Sequence, residues 1–247
     1  MRDRKFIGIT GSSGSGKTTA AKNLAAHYEN LGVACEVISL DNFYRIDLPH
    51  DGTTNWDHPD SFDHKLFIQF LNDLNLNESA EYPEYDFATS SRKKDTANQT
   101  KPKTKLFIFE GIFAHHEPIA HLYQAKIFVD TDSAICFERR KIRDVAERNF
   151  TEEQVISWWN KSVFPMYQEH ILPKKDLAHI VLTNDNEHSE NLNFDMSLLI
   201  ENLNKLLINE NKTTHAQIRY ILMPPVPPIC SQEALPASAP GLNISKQ

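Results

Sequence analysis

Eight consecutive residues constrain this chain more than anything else in it: Gly11-Ser12-Ser13-Gly14-Ser15-Gly16-Lys17-Thr18, a complete G-x-x-x-x-G-K-[ST] phrase. An apolar run, Phe6 to Thr10, precedes it and reads as a buried strand. Lys17 to Leu31 follows with Ala21, Leu24, Ala25, Tyr28 and Leu31 near helical spacing, and Gly32 serves as the helix stop. Strand, glycine-rich turn and helix together form a phosphate cradle. The glycines let the backbone curl so that its N–H groups face phosphate oxygens, and the helix adds the positive end of its dipole. Gly11, Ser12, Ser13, Gly14, Ser15 and Gly16 supply the cradle. Lys17 is a point charge for the β- and γ-phosphates, and the Thr18 hydroxyl is a Mg²⁺ ligand with Thr19 beside it. The phrase implies a bound nucleotide with its phosphates and Mg²⁺.

Cys35–Leu40 is a second strand, completing a β-α-β unit and implying a parallel sheet with helices on its faces. Leu106–Phe109 and Ala125–Val129 are further core strands, ending at Glu110 and Asp130, and Ala178–Leu182 is the last. Helices are expected at Ser61–Leu76, Asp132–Glu147, Glu152–His170 and Leu192–Leu207, with Pro165 bending or stopping the third. The charged stretch from Glu81 to Lys105 reads as short strands or a hairpin, and residues 41–60 as a functional loop. After about Asn211, Pro224, Pro225, Pro227, Pro228, Pro236 and Pro240 mark a change of composition. The domain reading is therefore one unit over 1–210 and a proline-rich, disordered tail over 211–247.

The net charge of −7 lacks the basic excess of a chain that coats nucleic acid. No apolar run approaches the roughly 20 residues of a membrane helix. Three cysteines, Cys35, Cys136 and Cys230, are widely spaced and lack a CxxC pair, which argues against a disulfide framework or zinc site. A cytoplasmic location follows from these readings. His115, His116 and His121 are poorly spaced for a shared metal.

A P-loop alone does not separate kinases from GTPases or remodelling ATPases. The guanine-reading N-K-x-D phrase is missing, and the third strong strand ends in a single acid, Glu110, followed by Gly111. Asp41 also ends a strand, at the sheet edge where α/β proteins place ligands, so its carboxylate can orient or deprotonate a hydroxyl or simply cap a helix. Arg140 and Arg143 share a helix face with Arg148 one turn on. They form either a self-paired solvated helix or a lid that closes over phosphates.

Six further phrases accompany the P-loop in a fixed order: Leu40-Asp41-Asn42-Phe43-Tyr44-Arg45, Asn55-Trp56-Asp57-His58-Pro59-Asp60-Ser61-Phe62-Asp63, Tyr85-Asp86-Phe87, Phe109-Glu110-Gly111-Ile112, Phe128-Val129-Asp130-Thr131, and Arg139 to Arg148. In these the chain resembles the uridine kinase (uridine-cytidine kinase) family, within the uridine kinase/phosphoribulokinase group, from about Phe6 to Asp185. The resemblance implies an α/β P-loop kinase fold: a doubly wound, mostly parallel sheet flanked by helices, with a small β-hairpin insertion and a helical lid at about 140–160. It implies ATP-dependent phosphorylation of a nucleoside 5′-hydroxyl. In that reading Asp41 is the catalytic base, Lys17, Arg143 and Arg148 act on the transferring phosphate, and Thr18, Glu110 and Asp41 surround Mg²⁺. Asp57 takes the sugar hydroxyls, Tyr85 the base, and Arg140 leans toward the ribose. Family members are often oligomeric, so a homo-oligomer is an open expectation.

Three positions depart from the family's pattern. Ser90 stands where a base-reading histidine is usual, Phe150 replaces the last arginine of the lid phrase, and Trp158 occupies the place of a glutamine in the next helix. Polar readers that hydrogen-bond a substrate discriminate strongly, so their loss predicts altered base selectivity. Phe150 and Trp158 can stack on a ring instead, or Trp158 can be a core residue. The alternatives to a nucleoside kinase are a kinase of another small alcohol, such as a sugar phosphate, and a non-catalytic ATP-binding regulatory protein.

Overall fold

The computed structural model describes residues 4–49, 53–86, 89, 91–185, 196–208 and 218–219. Its centre is a parallel sheet in the order β2-β5-β1-β6-β7-β8. The strands are β1 (Lys5–Gly11), β2 (Cys35–Ser39), β5 (Leu106–Glu110), β6 (Ala125–Asp130), β7 (Ile180–Thr183) and the two-residue β8 (Ile218–Arg219). In register, Ile9 lies opposite Glu110 on one side and Ile127 on the other, while Ser39 lies opposite Glu110. The carboxyl ends of β1, β2 and β5 therefore fall at one edge, which is how the P-loop, Asp41 and Glu110 come to share a site.

Alternation along the strands gives the two faces different cores. Ile7, Ile9, Leu106, Ile108, Ile127 and Val129 pack with Ala21 and Leu24 of α1 (Lys17–Asn30). Leu199 and Leu203 of α6 (Met196–Ile208) join that aliphatic layer. The opposite face is aromatic. Phe6, Phe107 and Phe109 meet Phe67 and Phe70 of α2 (His64–Leu76), with Phe43 and Phe62 from the loop between β2 and α2. The Phe67 and Phe109 rings meet edge to face at 5.3 Å, a favoured aromatic geometry.

Local signals set most boundaries. α1 stops at Gly32, whose φ is +78° and whose N–H bonds the Glu29 carbonyl, as its glycine foretold. α2 begins at His64 rather than Ser61, because Asp63 is its N-cap and accepts from the Leu66 N–H at 3.0 Å. The insertion is the expected hairpin: β3 (Glu81–Asp86) and β4 (Ser91–Gln99) pair antiparallel with an irregularity between Pro83 and Tyr85. α3 (Ser133–Arg148) ends at Asn149, with φ of +58°, and α4 (Glu152–Trp158) opens with a Thr151/Gln154 capping box.

Pro165 does not stop the chain after α4. The segment stays helical through a π turn (Trp159–Val163), a single α turn, α5 (Phe164–Met166), a second π turn (Tyr167–Ile171) and a 3₁₀ stretch (Leu172–Leu177). Proline lacks an N–H and crowds the carbonyl four residues back; wider i→i+5 turns flank it here. β8 was not foreseen and falls within the 211–247 tail, whose remaining residues lie outside those described.

Candidate active site

The P-loop turns tightly enough to require glycine at more than one position. Gly14 has φ of +83°, and a Cβ there would lie 2.3 Å from the Cys136 carbonyl oxygen. Gly16, the N-cap of α1, has φ of +96°. Buried groups beneath the loop hold its carbonyls: Thr131 Oγ1 and Asn184 Nδ2 donate to Ser15 O at 3.0 and 2.8 Å, and Arg139 donates to Gly14 O at 3.3 Å. Those bonds tie down the carbonyl side of the loop and leave its N–H side for an anion. Lys17 folds back to donate from Nζ to Ser12 O at 2.8 Å. Its burial lowers the ammonium pKa, while the negative charges of Glu110 and Asp41 oppose that shift.

Asp41 lies in a 3₁₀ turn (Leu40–Phe43) directly after β2, and its N–H is received by the Ser39 side chain. Burial raises its carboxyl pKa, and Lys17, Arg148, Arg143 and Arg140 pull it back down. Glu110 is 5% exposed. Burial and the neighbouring Asp41 raise its pKa, Lys17 lowers it, and the Ser39 and Thr18 hydroxyls donate hydrogen bonds to it. Thr18 itself is open to solvent. A hydroxyl and a carboxylate in contact, with a second carboxylate adjacent, are hard oxygen donors of the kind Mg²⁺ takes; that ion needs only one or two protein ligands beside phosphates and water. Thr19 is the next residue of α1 and is half-buried.

The three arginines converge on one acid. Asp144 is fully buried. Arg143 lies 2.8 Å from it, Arg140 3.1 Å and Arg148 3.3 Å. Arg140 Nη1 also donates to the Ser13 hydroxyl at 3.0 Å, so α3 reaches the P-loop directly. The lid and the self-paired helix are thus the same object: the arginines pair with their own helix and face the site together.

The residues expected to meet the acceptor come from the loop before α2, the hairpin and the π-helical segment. Asp57 Oδ2 accepts from the Ser162 hydroxyl at 2.7 Å, and Ser162 also lies 2.6 Å from Asn55 Oδ1. Tyr85 donates its backbone N–H to Asn42 Oδ1 at 2.9 Å, and its ring meets Tyr44 at 5.7 Å. Tyr44 feels Asp41, Asp57, Tyr85 and Arg140 at once, and burial together with those two acids pushes its phenol pKa well above the ordinary value. It therefore stands between the predicted base and the predicted sugar ligand. Sequence reasoning assigned no role to Tyr44 or Ser162, and read Asp144 only as a salt-bridge partner of the arginines in a solvated helix. Tyr44 could have been flagged by lying three residues after Asp41; Ser162 carries no signal of its own.

Of the three departures, Ser90 lies outside the described residues. Phe150 and Trp158 pack on each other edge to face at 4.7 Å, and Trp158 is 38% exposed. The core residue of that helix is Trp159, which packs with Phe137 and Phe164. Nε2 of the buried His115 pairs with Gly8 O at 2.9 Å, a bond within the sheet scaffold. Among the described residues no group of three metal-ligating His, Cys, Asp or Glu side chains occurs, and no helix is long and apolar enough to cross a membrane.

Residues 6–189 match the Phosphoribulokinase / Uridine kinase family. The uridine kinase of Shewanella amazonensis is 40% identical over 184 residues, which span 72% of this chain and 86% of that protein. The uridine kinase of Clostridium perfringens is 37% identical over 188 residues, 74% of this chain and 88% of its own. Phosphoribulokinase from Rhodobacter spheroides superposes with a TM-score of 0.58 at 18% identity, covering 78% of this chain and 75% of that one, which speaks to the fold.

Proposed function

The chain belongs to the Phosphoribulokinase / Uridine kinase family, and on that premise we propose that it transfers the γ-phosphoryl group of ATP to the 5′-hydroxyl of a nucleoside. One observation carries the reading. Lys17, Thr18, Asp41 and Glu110 come from three separate segments, and the parallel sheet delivers them to one edge beside the P-loop.

ATP lies with its β- and γ-phosphates against the loop N–H groups and Lys17. Asp57, held by Ser162, accepts hydrogen bonds from the sugar hydroxyls and points the 5′-hydroxyl at Asp41. Asp41 takes the proton as the hydroxyl oxygen bonds to the γ-phosphorus and ADP departs. Burial raises the Asp41 carboxyl pKa, which makes its carboxylate a stronger base than a solvated one, while Lys17 and the arginines oppose the rise. Arg143 and Arg148 stabilise the charge spread over the transferring group. Thr18 and Glu110 would hold Mg²⁺, with Asp41 beside it; when bound, the ion supplies charge neutralisation on the β- and γ-phosphates. The setting is cytoplasmic.

Base selectivity is the part least tied to the family's pattern. Phe150 and Trp158 offer an apolar pair in place of hydrogen-bonding groups, so base edges are read less strictly than in a site built of polar readers.

The test is ADP release from Mg-ATP with ribonucleosides, deoxynucleosides and sugar phosphates, using Asp41→Asn as control. Turnover on nucleosides that Asp41→Asn abolishes supports the proposal. Turnover confined to sugar phosphates moves the acceptor to another alcohol, and bound ATP with silence on every acceptor favours a regulatory role. Efficient and selective use of uridine and cytidine overturns the altered selectivity.

A further inference from the structure

α3 places one carboxylate within reach of three guanidinium groups. Asp144 follows Arg140 by four residues and precedes Arg148 by four, so both lie one turn away on its own face, with Arg143 adjacent in sequence. The three ion-pair distances, 2.8, 3.1 and 3.3 Å, all end on a carboxylate that solvent does not reach. A buried carboxylate is tolerated only when it is paired, and this one is paired three times over. The backbone adds to the same node. The Asp144 carbonyl accepts the N–H groups of Asn149 and Phe150, which close the end of α3 where the lid turns.

The arginines are also directed outward. Arg140 bonds Ser13 of the P-loop, and Arg148, Arg143 and Arg140 all act on Asp41 across the site. Arg140 thus bridges the buried acid and the phosphate cradle, and Arg143 and Arg148, paired to the same acid, lie near enough to act on Asp41. Without the acid, three like charges within one helical turn on either side would repel one another and scatter.

We propose that Asp144 is a positioning residue that holds the three lid arginines in one plane facing the P-loop and serves as the counter-charge that nucleotide phosphates compete with for them. The proposal rests on the ATP-dependent transfer described above. Its consequence is opposite in sign for binding and for turnover. The Asp144 charge weakens ground-state attraction for a polyanion, yet it fixes the geometry in which the arginines meet the transferring group.

The experiment compares wild type with Asp144→Asn, which keeps the shape and removes the charge. Affinity for a non-hydrolysable ATP analogue is measured by calorimetry, kcat and the nucleoside KM by ADP release, and folding by thermal melting. The expected result is analogue binding about three- to tenfold tighter with kcat lower by about 10–100-fold. Loss of fold alone cannot tighten binding, so this split separates positioning from scaffolding. Unchanged kcat, or binding that weakens along with kcat, overturns the proposal. If Asp144→Asn does not fold, Asp144→Glu decides. It keeps the charge but shifts the carboxylate, so binding near wild type with kcat down by about tenfold or more supports positioning, and full activity overturns it. The binding arm also stands by itself: were the wild type silent on every acceptor, the transfer reading would fail while the affinity change still judged Asp144.

Discussion

The two halves of the site are built on different principles. On the proposed phosphate side, most of the groups are charged, lie at strand ends or on α1 and α3, and are tied to a neighbour by a hydrogen bond or ion pair: Lys17 to Ser12, Thr18 to Glu110, and three arginines to Asp144. On the proposed acceptor side, Asp57 is the one acid assigned to substrate; Ser162 bonds it, Tyr44 and Tyr85 pack on each other, and Phe150 and Trp158 pair with each other at the far end of the lid helix. The contrast separates chemistry from selectivity. Phosphoryl transfer needs the same few charges whatever the acceptor, and of these Lys17 and Glu110, with Asp144 behind the arginines, are buried where a change leaves a charge unpaired. Recognition depends on half-exposed side chains from remote segments, each replaceable without disturbing the sheet. Of the departures from the family's pattern, Phe150 and Trp158 are partly exposed side chains of this second kind, and Ser90 lies outside the described residues.

The largest test of this division is Asp41→Asn. Removing the base should lower kcat by about 10²–10⁴-fold while ATP binding holds, measured by steady-state ADP release and by calorimetry. A large loss of ATP affinity in that variant would mean that Asp41 belongs to nucleotide binding instead. Next in size is Asp57→Ala, expected to raise the nucleoside KM by about 10–100-fold through loss of charge-assisted hydrogen bonds, with ATP affinity unaffected. Equal damage to both substrates would dissolve the two-half description. Ser162→Ala removes only the hydroxyl that holds Asp57, so its effect should fall on the same constant and be smaller, about three- to tenfold. An Asp57/Ser162 double-mutant cycle in KM should then show strong non-additivity.

The smallest effect lies outside both halves, at His115, which follows β5 and pairs with Gly8 O in the strand that carries the P-loop. Burial holds the His115 pKa at about 3, against an ordinary value near 6.5. Between those values the unfolded chain binds the proton and the folded chain does not, so stability rises with pH across that window and is lost as pH falls below 6.5. The slope from this one group approaches about 1.4 kcal/mol per pH unit. Urea midpoints of wild type and His115→Gln at pH 5.5 and 7.5 measure it, and the variant should show the shallower dependence. Equal slopes would assign the acid sensitivity to other groups.

Much of the fold was legible because its signals are local. Short core strands with β-branched and aromatic residues and a glycine after α1 each announce themselves within a few positions, whereas the Asp63 cap went unread and α2 was placed three residues early. Where the reading slipped, longer-range forces intervened. Pro165 lies in a segment anchored by Tyr167 and Ile171 against Phe128 and Val181, so packing keeps it helical with a changed hydrogen-bond register. Trp158 and Trp159 are indistinguishable by composition, and only the helix's placement against Phe137 decides that the second is the core residue.

By itself the sequence determined the phosphate cradle, the acids at the ends of β2 and β5, the hairpin, and the arginine-rich helix. Each is a contiguous phrase whose backbone chemistry needs no distant partner. Tertiary structure decided the strand order that brings Asp41 and Glu110 beside Lys17, the reach of Ser162 across 105 positions to Asp57, the place of Tyr44 among four charged and aromatic groups, and the burial of Asp144 beneath its three arginines. Spacing along a helix can show that Asp144 and the arginines are neighbours. Only packing excludes the water that would otherwise screen them, and that exclusion turns a row of surface charges into a directed site.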